Sequence, residues 1–414
     1  MANLTSSEPR SIAVLGAGPV GLATALAFAT HELDVLLVAP ALDPARLADE
    51  RRTAALFGPS IDFLDNLGVL AHRTAVSAPI RAIRIADARD GLVHAPEMAF
   101  HAREIGREAF GSNISNAVLV KALADAVMAH GRITWISTPG ATAITHAPGG
   151  IQLELAEGRT VDARLLAAAD GRLSIAPRAA GISVRRWSYP QVAIATTFHH
   201  SRPHRDTVIE LHGAHGPLTT VPLAGDSSSL VWVESPDTAR TLLDIDAEAF
   251  AAHLEERLQG VLGTIDTVGP RASYPLSALA ASRMGASAIA LLGEAAHVIP
   301  PIGAQGLNLG LRDAAAIADC VADARTRGAD IASDEVLEAY HRMRSIDVAA
   351  RSASIDALNR SLLADMLPVD VFRSLTARLI AGLHPLRQLL MHGGMGYVGH
   401  LPRLMRPNAP RPSP

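Results

Sequence analysis

Three stretches of this sequence combine residue types and spacings suited to holding an anionic group. The first, Gly16-Ala17-Gly18-Pro19-Val20-Gly21, is a GxGxxG run. Glycines so placed allow a tight turn and a close approach of a dinucleotide pyrophosphate, whose charge then meets the start of a helix. The second, Ala169-Asp170-Gly171-Arg172-Leu173-Ser174, follows the apolar run Leu165 to Ala168 and by itself reads as an Asp-Gly turn. The third runs unbroken from Gly293 to Asp313, GEAAHVIPPIGAQGLNLGLRD. Here a strand delivers the Glu294 carboxylate, a loop stiffened by Pro300 and Pro301 follows, and a segment from Gly303 opens a helix whose free amides suit an anion.

The elements around these stretches must place them side by side. Ser11 to Leu15 is a short β-rich apolar run, Val20 to Ala29 is rich in helix formers, and Asp34 to Val38 is again β-branched. That order is βαβ, the context a dinucleotide fingerprint requires. Arg52 to Leu67 reads as helical with Gly68 as its C-terminal cap, and Ala117 to Met128 as an amphipathic helix. From Gln191 to Glu234 the pattern alternates and is punctuated by Pro203, Gly213, Gly216, Pro217 and Gly225, which predicts an antiparallel sheet inserted into an α/β protein. Ala288 to Leu292 returns to a buried strand, Leu307 to Ala324 to a helix, and the chain beyond Tyr340 is helical up to a proline-rich coil from Pro407 to Pro414.

Composition narrows the function classes. A length of 414 residues exceeds one core and predicts two or three compact units. With 49% hydrophobic and 19% charged residues the chain has material for a core, which excludes general disorder. The 37 basic and 41 acidic residues leave no global positive field, so nucleic acid is not an expected partner. The single cysteine, Cys320, fits a reducing, cytoplasmic compartment. The first apolar stretch, broken by Gly16, Gly18, Pro19 and Gly21, reads as neither a signal peptide nor a membrane span. One local region is basic: from Val371 onward there are arginines at 373, 378, 387, 403, 406 and 411 and no acidic side chain.

In this order and at these separations the three stretches resemble the class A flavoprotein aromatic hydroxylases, typified by para-hydroxybenzoate hydroxylase. Within that family the chain is most similar to the ubiquinone-biosynthesis hydroxylases. The closer likeness lies in Arg52 to Leu56, Glu104-Ile105-Gly106, Phe110 to Asn116, Tyr274-Pro275-Leu276 and the 293–313 block. The resemblance implies a Rossmann-like FAD-binding domain with an inserted antiparallel β-sheet substrate domain and a C-terminal helical region. The expected division assigns 1–75, 101–185 and 271–345 to the FAD-binding domain, 76–100 and 186–270 to the substrate domain, and 346–414 to the C-terminal region.

By the same resemblance Gly16, Gly18, Pro19, Val20 and Gly21 take the FAD pyrophosphate, and Asp170 with Gly171 lies beside the cofactor. Glu294 contacts its ribityl or ribose region, and the loop holding Gly303, Gln305, Gly306, Leu307 and Asn308 lies against the isoalloxazine, with amides at Gly306, Leu307 and Asn308 facing the charge of the reduced ring. Three positions depart from the family pattern. Ala39 and Pro40 stand where a carboxylate meets the adenosine ribose, so Arg46, Arg51 or Arg52 is the expected substitute; Glu294 replaces an aspartate; and Pro177 stands in place of an arginine.

The implied cycle uses NADPH or NADH as reductant and O2 as co-substrate, and passes through a flavin C4a-hydroperoxide to hydroxylate an electron-rich ring, here a polyprenylated phenol or quinol of ubiquinone biosynthesis. Such a site must exclude water, and Pro300, Pro301 and the segment Pro217 to Leu223 are the expected wall. His297 is the histidine nearest the flavin stretch, read either as a catalytic base or as a structural hydrogen-bonding group. Trp232 and Phe198 read as core or wall, and Asn359 and Arg360 as helix packing. The basic, apolar C-terminal region has three readings: a peripheral seat on the inner face of the cytoplasmic membrane, a helical cap with solvated arginines, or a docking surface for other quinone-biosynthesis proteins. A soluble hydroxylase of small phenols and a non-catalytic FAD-binding assembly partner are the alternative functions. A halogenase is disfavoured because no Trp-x-Trp-x-Ile-Pro run is present.

Overall fold

The computed structural model describes residues 12–69, 77–88, 96–363, 383–397 and 399–407. The chain opens with β1 (Ile12–Leu15), α1 (Pro19–Thr30), β2 (Val35–Ala39), α2 (Pro44–Asp49), β3 (Thr53–Phe57), α3 (Gly58–Asn66), β4 (Ser77–Ile80), β5 (Ala82–Asp87), β6 (Met98–His101) and β7 (Gly111–Ser115). It continues through α4 (Asn116–Ala129), β8 (Ile133–Ser137), β9 (Ala141–Ala147), β10 (Gly150–Leu155), β11 (Thr160–Ala163), β12 (Leu165–Ala168), α5 (Ala176–Ala179) and β13 (Val184–His200). Then come β14 (Thr207–Gly213), β15 (Gly216–Pro222), β16 (Ser227–Glu234), α6 (Pro236–Asp244), α7 (Ala247–Leu258), β17 (Ile265–Val268) and β18 (Ala272–Ala281). The last described elements are β19 (Gly285–Ala286), β20 (Ile289–Leu291), β21 (His297–Val298), α8 (Gln305–Thr326), α9 (Asp334–Leu363) and α10 (His384–Gly394).

β1, β2 and β12 consist of apolar residues buried along their whole length. Such runs need cover on both faces, and they obtain it in a mostly parallel sheet of order β19-β20-β12-β1-β2-β8 flanked by α1, α4 and α8. Pro19 at the start of α1 supplies a preset φ where its missing amide costs nothing. The largest sheet has the path β21-β18-β13-β16-β15-β14-β5-β6 and is antiparallel except for β14 beside β5, with β17 also pairing β13. Residues 82–101 thus join strands from 184–298 in one sheet. Two three-stranded sheets, β3-β7-β4 and β11-β10-β9, complete the architecture. This is the mixed α/β arrangement expected: a Rossmann-like unit, a large sheet and a C-terminal helical region.

One expectation fails. Residues 53–57 are not helical but form β3, antiparallel to β7, with Ala54 and Leu56 buried in alternation. The helix begins at Gly58, where Pro59 fits its first turn, and Gly68 lies past its end with φ +76°. Asn113 and Thr53 fasten this small sheet to the large one: Asn113 Nδ2 donates to the Pro222 carbonyl (3.0 Å) and to Ser229 Oγ (3.2 Å), and Thr53 Oγ1 donates to the same Oγ (2.9 Å). The tail from residue 408 lies outside the described residues. Among the described residues no helix is long and apolar enough to cross a membrane, and no group of His, Cys, Asp and Glu is arranged for a metal ion.

Candidate active site

The three stretches meet at the ends of β1, β12 and β20. Gly16 has φ +105°, and a Cβ there would stand 2.5 Å from the Ala169 carbonyl oxygen; one at Gly21 would stand 2.0 Å from the Gly16 oxygen. Neither position admits a side chain. Gly310 is constrained from the opposite direction, because a Cβ there would stand 2.6 Å from Val20 Cγ2. Helices α1 and α8 therefore cross in near-contact, with Val20 as the spacer between them. Gly18 differs, since nothing lies within 4 Å of a Cβ there. It caps α1 in extended conformation, with no side-chain cap and no acidic residue in the first turn. The helix therefore presents its free amides and positive end to open space, as an anion site requires.

Asp170 lies two residues past β12 with most of its carboxyl buried, and its Oδ1 has no hydrogen-bond partner among the described residues. Burial pushes this carboxyl up, against a hydrogen bond from Ser174. A buried orphan acceptor beside an open glycine, Gly171 at φ +89°, is a place left for a donor from outside the chain. Arg172 reaches across to Glu294, donating from Nη2 at 2.9 Å and Nε at 3.2 Å, and the Glu294 side chain is 51% exposed. Arg52 joins this rim. It is clamped by Glu50 at 2.9 and 2.5 Å, lies 5.2 Å from the Tyr274 ring centroid, and feels the Glu294 charge. Arg46 does not join it, being 90% exposed on α2 with Asp43 as its ion-pair partner at 3.7 Å. Pro177 is buried within α5 and Arg178 is exposed.

The third stretch begins as a tight turn, Gly293–Ala295, after β20. Gly293 N donates to Asp313 Oδ2 at 3.0 Å, His297 Nε2 meets the same oxygen at 2.6 Å, and Arg344 Nε donates to Asp313 Oδ1 at 2.7 Å. Burial alone would raise the Asp313 carboxyl, but His297 and Arg344 overcome it and hold it below its ordinary value. His297 is 2% exposed, and its contact with Asp313 makes the ring a strut between the turn and α8. Pro300 is buried and Pro301 exposed. Ala304 adopts φ +53° and starts α8 without a side-chain cap, while Gly303 faces open space and a Cβ at Gly306 would meet only Ile299 Cγ1, at 4.0 Å. The free amides of such a start run through Leu307; the amide of Asn308 is the first to reach back along the helix.

Two side chains expected at the cofactor are engaged elsewhere. Asn308 accepts from Phe57 N at 3.0 Å and donates to the Ala55 and Ala304 carbonyls at 2.9 and 2.7 Å, pinning α8 to β3. Gln305 donates to the carbonyls of Gly303 and Gly394 and accepts from Arg351 Nη1 at 2.6 Å, which ties the first turn of α8 to α9 and α10. What these residues leave for a cofactor is backbone. The chain's own features fit FAD: a glycine cradle that side chains would fill, an orphan carboxylate oxygen, and two uncapped helix starts.

The large sheet contributes its inner face. Val208 on β14 and Val221 on β15 pack with Phe57, Phe110 and Ala304, and so look toward the loop that opens α8. Trp232 and Phe198 face the other way, into the core under α6 and α7. Alternate residues on a strand share a face, so Glu210 and His212 stand with Val208. Sequence reasoning missed this buried pair, whose signal was two ionisable residues spaced by two within an apolar strand. Asn359 is buried in a reciprocal amide pair with Gln191 at 2.8 and 3.1 Å, and Arg360 pairs with Asp356, as packing requires.

The C-terminal arginines do not form one free basic surface. Arg387 pairs with Glu104 at 2.6 Å, Arg403 with Asp319 and Asp323 at 3.1 and 2.8 Å, and Arg406 donates to the Leu401 carbonyl. Positions 373, 378 and 411 lie outside the described residues.

Residues 10–353 match the family described as FAD binding domain. The chain is 34% identical over 407 residues to the ubiquinone hydroxylase UbiL of Rhodospirillum rubrum, covering 97% of this chain and 94% of that protein. It is 30% identical over 375 residues to the 3-demethoxyubiquinol 3-hydroxylase of Escherichia coli, covering 89% and 94%. Among solved structures, that of PqsL, a probable FAD-dependent monooxygenase from Pseudomonas aeruginosa, superposes with a TM-score of 0.73 at 21% identity, over 90% of this chain and all of that one.

Proposed function

Because the chain belongs to the FAD binding domain family, we propose that it is an FAD-dependent monooxygenase that hydroxylates the aromatic ring of a prenylated phenol or quinol in ubiquinone biosynthesis. NADPH or NADH is the reductant and O2 the co-substrate. The observation that carries the reading is the 34% identity to a ubiquinone hydroxylase along nearly the whole of both chains.

FAD, when bound, would pass electrons from the nicotinamide to dioxygen and supply one oxygen atom to the ring. The chain's residues have separate tasks around it. The turn from Gly16 to Gly21 would seat the pyrophosphate on the start of α1, with Pro19 and Val20 shaping that start. Asp170 would accept from the cofactor's polar edge. Arg52, Arg172 and Glu294 would line the ribityl or ribose side. The amides of Gly306 and Leu307 would face the pyrimidine edge, where negative charge develops on reduction, and such donors act strongly in a dry site. Pro300, Val221 and Val208 would exclude water around the ring.

The C-terminal region is the part proposed to meet a bilayer, where the substrate's prenyl chain resides. Leu389 and Leu390 are exposed on α10, with Leu383 beside its start. Since Arg387 and Arg403 are used internally, apolar side chains would carry this contact more than charge.

The test is mass-spectrometric profiling of quinone precursors in the source organism with this gene deleted. A prenylated phenol lacking one ring oxygen should accumulate and disappear on complementation with the wild-type gene. An unchanged profile would refute the pathway assignment.

A further inference from the structure

Phenols become far better electron donors to an electrophilic oxygen once ionised, and the carboxylates of the three sequence stretches, Asp170 and Glu294, are the ones proposed above to hold the cofactor. His297, the histidine closest to them, is sealed against Asp313. The inner face of the large sheet supplies another. Along β14, Ile209 and Leu211 pack with the core beneath α6 and α7, while Val208 packs toward Ala304 and Phe57. The alternation places Glu210 and His212 on the Val208 side. Strand register sets Glu210 in one row with Thr219, Val231 and Ala195, and His212 in the next with Pro217 and Asp87. Glu210 and His212 are 7% and 9% exposed, and His212 Nε2 lies 2.7 Å from Glu210 Oε1. The contact leaves Nδ1 as the ring nitrogen that can take a proton.

We propose that His212, oriented and charge-balanced by Glu210, is the base that ionises the substrate's ring hydroxyl. The inference rests on the phenolic substrate proposed above. In the step the substrate O–H bond breaks, the proton moves to His212 Nδ1, and the electron pair stays on the phenolate oxygen. The Glu210 carboxylate accepts the Nε2–H bond and neutralises the imidazolium. No electron changes hands, so the redox half of the reaction is untouched. A base with an orienting partner in an apolar, covered face is the arrangement general-base catalysis uses.

Other charges near this face come from few groups. Asp87 stands in register with His212 on β5. From the elements packed on the face, Glu104 and Arg387 pair with each other, Arg107 lies over the Tyr397 ring, His392 Nδ1 meets the Gln388 carbonyl, and Asp356 is held by Tyr189 and Arg360.

The probe is 2-geranyl-4-nitrophenol, whose phenolate is coloured and whose phenol is not, titrated by difference absorbance into FAD-loaded protein across the neutral pH range. Wild-type protein should ionise the bound probe about tenfold more readily than water does, a shift of roughly one pKa unit. His212→Phe should bind the neutral probe within about threefold of wild type, a difference under 1 kcal/mol, and return its ionisation to the value in water. Glu210→Gln should retain part of the shift. With the native substrate both variants should lose kcat more than they raise KM, and added bulk imidazole should restore part of kcat in His212→Ala. Undiminished probe ionisation in His212→Phe overturns the proposal. If that variant does not take up FAD, His212→Asn and Glu210→Gln decide in the same assay. Wild-type protein that binds no probe would remove the substrate class and the base together, whereas binding without ionisation would remove the base alone.

Discussion

Gly306→Val separates a cofactor role for the α8 start from a structural one, because the fold itself has room for the new side chain. A Cβ at Gly306 would meet only Ile299 Cγ1, at 4.0 Å. Replacing a helical glycine by valine is worth a few tenths of a kcal/mol in favour of the helix, so the apoprotein should keep its Tm within about 2 °C. The space the side chain enters is the cleft. Blocking one backbone donor aimed at developing charge costs about 3 kcal/mol, roughly a 100-fold loss, in the rate of reduction. The assays are calorimetry of the apoprotein, fluorescence titration with FAD, and anaerobic stopped-flow reduction by NADPH. Gly310→Val is the control, since its side chain collides with Val20 and overpacking of this kind costs about 1–3 kcal/mol of stability. A Gly306→Val protein with normal FAD affinity and normal reduction would refute the assignment of this turn to the flavin.

Glu294→Ala removes a half-exposed partner of Arg172, an interaction worth at most about 1 kcal/mol to the fold. It should instead weaken FAD retention roughly tenfold, as expected for one hydrogen bond to a charged group, and an unchanged dissociation constant would contradict that role. Arg344→Met takes the guanidinium from the buried Asp313 carboxylate, leaving it His297 and the Gly293 amide, and removes one of three arginines from Asp347; it should cost about 3–5 kcal/mol, read as a lower urea midpoint. The same pair sets the acid limit. Burial raises both carboxyls, but the surrounding cations overcome it and hold them below the ordinary 3.8. A folded value below the unfolded one means this stability is complete above about pH 4 and is lost as pH falls further. Urea midpoints of the wild type should therefore drop steeply below pH 4, and those of Arg344→Met should drop less.

Local chemistry makes much of this molecule legible from sequence. β1, α1, β2 and α8 announce themselves because glycine placement, continuous apolar runs and helix formers all agree there. β3 escapes such a reading because Thr53 to Leu56 are adequate helix residues, and the strand exists only through pairing with β7, which lies over 50 residues further on. The clue is Gly58-Pro59, which fits a helix start better than a helix interior. His297, Gln305 and Asn308 stand in the third stretch, but their side chains turn inward to partners at 313, 351 and 55 that no local pattern reveals. Arg387 and Arg403 look like a basic surface in the sequence for the same reason, since Glu104 and Asp319 are distant along the chain.

The clasp on α8 also bears on how the protein is made. Gln305 and Arg351 bond the carbonyl of Gly394, and Arg312 bonds that of Gly396, so the turn assigned to the flavin is fastened by acceptors some 84 to 89 residues downstream of Gln305 and Arg312. During synthesis the Rossmann-like sheet can assemble as soon as β20 emerges, since domains fold from the N-terminal side. The clasp cannot close then, because its acceptors at Gly394 and Gly396 have not yet been made. A ribosome stalled short of residue 394, or a protease that trims the chain there, would release a protein with its sheet complete and buried guanidinium groups left without their carbonyls.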